Sequence, residues 1–199
     1  KILVVFFHEA SHAIATLITG GKVQELIVNP QQGGHVISLG GNRFISLSAG
    51  YLGSLLWGAV IYLLAMKTEW DRLLMAVLAI LIGLISLVYA GNLFVIGYGL
   101  TVSALMLLSA KFLSVNFNDL LLRLIGLTSM MYVPLDLYSD TILRSANRSD
   151  ARMLAEEFGG ATLLWGGIWI GISVVVIGMV LTWTIRHTKK TIKDKSQKK

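Results

Sequence analysis

Six runs of apolar residues divide the chain: Ile2 to Thr19, Phe44 to Met66, Leu73 to Ala90, Leu93 to Ala110, Leu120 to Tyr138 and Ala161 to Ile185. Each approaches the roughly 20 residues that a helix needs to cross about 30 Å of hydrocarbon. Inside lipid the backbone has no water to bond, so a helix is the default for such a run. The connectors are polar. Gly91-Asn92 predicts a tight turn, Lys67 to Arg72 and Lys111 to Asp119 predict short links, and Asp140 to Gly160 predicts the longest loop after the hairpin region. Gly20 to Asn42 breaks the pattern. Two β-prone runs there, Lys22 to Val28 and His35 to Leu39, flank Asn29-Pro30-Gln31-Gln32-Gly33-Gly34, which predicts a hairpin or short sheet. Its position next to the first span predicts that it lies at the membrane surface. The expected fold is an all-α polytopic membrane protein with about six transmembrane helices and a small β-hairpin after the first. Residues 1–185 read as a single integral membrane domain with the hairpin region at 21–43, and 186–199 as a tail.

Composition agrees with the pattern. Of the 199 residues, 55% are hydrophobic and 14% charged, against roughly 45–50% and about 25% in a soluble domain. That charge is too thin for a water-facing surface, and it excludes a disordered chain. The absence of cysteine excludes a disulfide scaffold, thiolate metal sites and cysteine nucleophiles. The net charge of +6 resides in the tail, where Arg186 to Lys199 hold seven bases and one acid, Asp194. The basic balance is therefore no sign of nucleic-acid binding. A basic run after an apolar span predicts a cytoplasmic end. Six spans would then put the start of the chain on that side, and the hairpin and the Asp140 to Gly160 loop on the other. The chain opens at Lys1, without Met and already inside an apolar run, which predicts further sequence upstream.

The first span carries the chemistry. It reads Phe7-His8-Glu9-Ala10-Ser11-His12-Ala13, three ionisable residues where the rest of the segment suits lipid or core. Such groups are costly at membrane depth and line cavities or sites. His8 and His12, four residues apart, share a helix face. That spacing lets two imidazoles hold one zinc ion, with Glu9 beside them as general base for a water. The rival explanation is a pair of core histidines with Glu9 in a buried hydrogen bond. Elsewhere the polar residues invite plain roles: His35 and His187 solvated, Arg123 paired with Asp119, and Asn92, Asn116 and Ser173 as caps, loop groups or cavity lining.

His8-Glu9-Ala10-Ser11-His12-Ala13, followed by Leu17-Ile18-Thr19-Gly20-Gly21-Lys22-Val23, resembles the start of the site-2 protease family of intramembrane zinc metallopeptidases. It is most similar to the compact B-type (M-fifty-B-like) branch. Ala49-Gly50-Tyr51-Leu52-Gly53-Ser54 resembles that family's small-residue helix after the hairpin. Asn147-Arg148-Ser149-Asp150-Ala151 and Trp165-Gly166-Gly167-Ile168-Trp169 resemble the branch's Ser-Asp-Ala element and final span. The resemblance implies a third zinc ligand, an Asp in a later span, often in a Leu-Asp-Gly context after Pro. The match here is Asp136 in Pro134-Leu135-Asp136-Leu137, with Leu137 where the family often has Gly. Asp140, one turn on, and Asp150 are the alternatives. Asp150 has a competing role as cap of a helix over Ala151 to Phe158. Depth is a difficulty for Asp136. His8 lies near the start of its span and Asp136 near the far end of its own, unless upstream helix or a break at Pro134 shifts them.

The resemblance thus implies a Zn2+-dependent metalloendopeptidase, with His8, His12 and Asp136 on the metal and Glu9 catalytic. Its partners would be the lipid bilayer and membrane-protein substrates cleaved in or near a transmembrane segment. The hairpin could present a strand edge, at Val23, Leu26 and Val28, to an unwound substrate. The rivals are a catalytically inactive membrane scaffold and an ion or metal transporter using the same ionisable residues as a relay.

Overall fold

The structure, a computed structural model, describes residues 1–144 and 148–196. Helix α1 (Ile2–Ile18) leads into an antiparallel hairpin of β1 (Lys22–Val28) and β2 (Gly34–Leu39). Helices α2 (Arg43–Lys67), α3 (Asp71–Tyr89), α4 (Leu93–Phe112) and α5 (Val115–Tyr138) follow. A π-helical turn (Ser139–Leu143), the short α6 (Asp150–Phe158) and α7 (Thr162–Ser196) complete the described chain. The sequence announces several helix starts. The side chains of Asn42, Asn92, Ser114 and Ser149 accept hydrogen bonds from the backbone N–H three residues on, replacing bonds that a first turn lacks.

Among the described residues, α2, α3, α4, α5 with its π turn, and α7 are long and apolar enough to cross a membrane. The chain is an integral membrane protein by these spans. α1 is shorter. Its 17 residues extend about 26 Å at 1.5 Å per residue, and most of its first half is buried in protein. The expected six spans are thus five plus a short apolar helix packed inside. Two departures concern α5 and α7. Pro134 does not end α5, which runs on to Tyr138 and then passes into the π turn. α7 continues past Ile185 into the basic segment as far as Ser196, and residues 197–199 of the expected tail lie outside the described residues.

The hairpin lies against α1. Gly21 N donates to Thr16 O, and Asn42 N donates to Thr19 Oγ1. At its other end Gly34 comes against the carboxylate of Glu9, so that an added Cβ would sit 2.7 Å from Oε1. The hairpin therefore folds back along α1 to the level of Glu9. β1 is also covered on its outer edge. Gly91 N donates to Leu26 O, Asn92 Nδ2 donates to Val28 O, and Leu26 forms a bridge with Ala90. The strand edge expected at Val23, Leu26 and Val28 is thus largely taken by the α3–α4 turn, and the outer edge of β2 carries no strand among the described residues.

The interior has two apolar clusters. One joins Phe6, Leu26, Met75, Ile82 and Leu122 around α1, the hairpin and α3. The other joins Leu47, Tyr51, Met130, Leu137, Leu154 and Trp169 around α2, α5, α6 and α7. α2 and α5 touch backbone to backbone at Gly58 and Gly126, where an added Cβ on either would lie 2.7 Å from the other's carbonyl oxygen. Small residues permit such approach between membrane helices. α1 contributes to the first cluster, α2 contributes to both through Ile61 and Ala65 in the first and Leu47 and Tyr51 in the second, and the polar residues of the next section lie where these two helices face each other.

Candidate metal centre

His8 and His12 stand on the face of α1 that meets α2 and α6. Their Nε2 atoms lie 3.0 and 3.2 Å from the same oxygen, Oδ2 of Asp150. One donor atom from each of these residues lies within 4.8 Å of the others, with Asp150 and His12 buried and His8 half-buried. Asp150 arrives there because Ser149, not Asp150, caps α6: Ser149 Oγ accepts from Arg152 N. Asp150 is the first helical residue, and its carboxylate is free to turn into the protein. Burial alone would raise the Asp150 carboxyl, but the His12 and His8 imidazoles hold it below the ordinary carboxylate range.

The tautomer of His12 tests the fit to a cation. Its Nδ1 lies 2.7 Å from the carbonyl oxygen of Ser46. A carbonyl only accepts, so Nδ1 carries the proton. In the neutral ring Nε2 then presents a lone pair to a carboxylate oxygen at 3.2 Å. Two lone pairs at that distance repel unless a cation lies between them or the ring is charged. A backbone carbonyl on the remote nitrogen is also the usual way in which a metal-binding histidine is oriented. Glu9 adds a second sign. It is 4% exposed, and its Oε2 has no hydrogen-bond partner among the described residues. A buried carboxylate oxygen left unpaired is costly, and this one stands beside the two imidazoles. Two imidazoles, a carboxylate and an adjacent acid are the donor set that suits a catalytic zinc ion.

Asp136 and Asp140 line the same cavity as the histidines but stand outside the donor cluster of His8, His12 and Asp150. Asp140 accepts a 2.5 Å hydrogen bond from the Tyr51 hydroxyl and pairs with Arg144 at 2.8 Å. Asp136 lies 3.9 Å from the same guanidinium. The acids one turn apart serve a cation of their own. Of the three acids considered from sequence, Asp150 is the one gathered with His8 and His12, and the depth difficulty does not keep Asp136 away, since it shares a cavity with His8. Asn147, quoted with it, lies outside the described residues. Asn92 caps α4 and ties down β1, and Ser173 Oγ donates to Trp169 O. Asn116 lies in the exposed first turn of α5, and none of the three lines the site.

A cavity of about 260 Å³ opens over His8, Glu9 and His12, walled by Gly34 and Val36 of β2, Tyr51 of α2, Asp136 of α5 and Arg148 before α6. α2 supplies residues that the motif alone does not reveal. Ser46 orients His12, Gly50 lies directly against both imidazoles, and the Tyr51 ring meets His8 edge-on with centroids 4.7 Å apart. The available signal was Ser46, Gly50 and Ser54 at four-residue spacing, which marks one small face of a helix.

A family model described as Peptidase M50B-like matches residues 1–180. No curated protein and no solved structure matches the chain. The chain belongs to the Peptidase M50B-like family, which at family level is a group of site-2-protease-type membrane proteases.

Proposed function

We propose that this Peptidase M50B-like chain is a zinc metalloendopeptidase that hydrolyses peptide bonds in or near transmembrane segments of membrane proteins. His8, His12 and Asp150 would hold the metal, and Glu9 would be the general base. The observation that carries this reading is the convergence of three donor atoms beside a buried acid with an unpaired oxygen. A zinc ion held there would polarise the scissile carbonyl and lower the pKa of a bound water toward about 7. Glu9 accepts the proton of the attacking water and returns it to the leaving amine. Ser46 O fixes the His12 ring through Nδ1–H. The cavity admits water to a place otherwise shielded by helices.

The hairpin orients the substrate. A helical substrate hides its own carbonyls, so it must be extended before hydrolysis. The outer edge of β2, beside Glu9, can pair with an extended segment through backbone hydrogen bonds. Residues 1–185 act as one unit, and the basic segment from Arg186 on lies at the cytoplasmic face.

The test is zinc content and peptide cleavage by detergent-purified protein. Wild type is expected to hold about one zinc per chain and to cut a solubilised transmembrane peptide. His12→Ala and Asp150→Ala are expected to lose both, and Asp136→Ala neither. Zinc lost in Asp136→Ala but kept in Asp150→Ala would move the third ligand. A folded wild type without zinc would overturn the peptidase reading.

A further inference from the structure

The backbone of α2 comes closer to the two imidazoles than any side chain allows. A Cβ built on Gly50 would meet His8 Nε2, would lie 2.5 Å from His12 Nε2, and would lie 2.6 Å from His8 Cε1. Ordinary contact between such atoms begins near 3.4 Å. Gly50 has helical backbone geometry, with no positive φ to demand a glycine. Glycine also weakens a helix interior relative to alanine. Local structure therefore gives no reason for it here. The reason lies across the helix pair, in the nitrogens that face Asp150.

We propose that Gly50 is a positioning residue of the metal centre: its missing side chain is the space that lets the His8 and His12 Nε2 atoms converge with Asp150 on one ion. This rests on the reading of the site as a zinc centre. The surroundings of Gly50 hold the arrangement from both sides. One turn before it, Ser46 O receives His12 Nδ1–H, and one turn after it, Ser54 Oγ donates to the Gly50 carbonyl at 2.9 Å. The backbone of α2 thus fixes the remote nitrogen of one imidazole while leaving open the near side of both. The three atoms nearest to a methyl group at position 50 all belong to the imidazoles, whose displacement separates the ligand nitrogens.

The position differs from the other close approaches of α2. An added Cβ at Gly58 would press on the α5 backbone, 2.7 Å from Gly126 O and Met130 N. That contact is packing between helices and lies away from the imidazoles. The two glycines should therefore separate metal binding from folding.

The experiment measures zinc stoichiometry and affinity by metal analysis and chelator competition, and Tm with and without zinc, on full-length protein in detergent. Gly50→Ala is expected to lose at least tenfold in zinc affinity and to lose most of the Tm rise that zinc confers. Gly58→Ala is expected to have a lower Tm but to keep the wild-type affinity while folded. If Gly50→Ala folds poorly, the His8→Ala/His12→Ala background decides. With the imidazoles gone, Gly50→Ala should leave Tm unchanged or raise it. Wild-type zinc affinity in Gly50→Ala, or a clear loss of Tm on adding Gly50→Ala to the double variant, would overturn the proposal. Zinc-free wild type would instead overturn the underlying metal reading, and the proposal with it.

Discussion

Helices α1 and α2 approach at Gly53, where an added Cβ would fall on Ser11 Oγ, and helices α3 and α4 approach at Gly99, where it would fall on Ser86 Oγ. A second pair of the same kind, Gly83 and Ser103, lies further along α3 and α4. Both helix pairs use a glycine against a serine, the small-residue packing that membrane helices favour. Between α3 and α4 this makes contact only. Ser86 Oγ is buried there without a partner among the described residues. Between α1 and α2 the same closeness brings the Ser46 carbonyl and the Gly50 backbone onto His8 and His12, and α6 closes the third side with Asp150. Close approach is thus a packing device that becomes a candidate site only where one helix carries ionisable groups and a third element supplies the opposite charge.

Substitutions in or against the first pair should change chemistry, and those in the second stability alone. The largest effect is expected of Glu9→Gln, which should retain zinc yet cut peptide cleavage by about 10²–10⁴-fold, the range of a lost general base; near-normal cleavage with zinc bound would remove Glu9 from the mechanism. A smaller loss, roughly tenfold given ordinary rates of misplaced catalytic groups, is expected of Gly34→Ala. Its methyl group would lie 2.7 Å from Glu9 Oε1, so zinc content should stay and kcat should fall. Gly99→Ala should cost about 1–3 kcal/mol of stability, as overpacking does, while zinc content and cleavage per folded molecule stay at wild-type values. A selective loss of zinc in that variant would erase the distinction between the two helix pairs. Smallest is Ser86→Ala, which removes a buried hydroxyl with no partner and should leave Tm unchanged or slightly raised.

Much of this architecture can be read from residue order. The apolar runs give α1 to α5 and α7 to within a few residues at most ends, because lipid leaves a chain little choice but helix. The hairpin follows from β-prone runs around Pro30 and paired glycines. The direction in which it folds does not, since Gly34 against Glu9 and Leu26 against Gly91 are contacts between distant segments. His8, Glu9 and His12 are legible because their spacing is local to one helix. The acid gathered with the two histidines is not. Asp136 has the better sequence context, but the π turn after Pro134 and the cap at Ser149 decide where Asp140 and Asp150 point. Gly50 is hidden for a similar reason: a glycine in an apolar helix says nothing of what it touches.

The placement of Asp150 has a consequence for biosynthesis. It lies 142 residues after His8, so a nascent chain inserts its histidines and the proposed general base long before it makes the last of the proposed ligands. Until α6 emerges and docks, an ion bound at the proposed centre would have two protein donors in place of three. Translation itself would then keep the enzyme silent, and newly inserted helices of the same molecule would be spared by the order in which the chain is made.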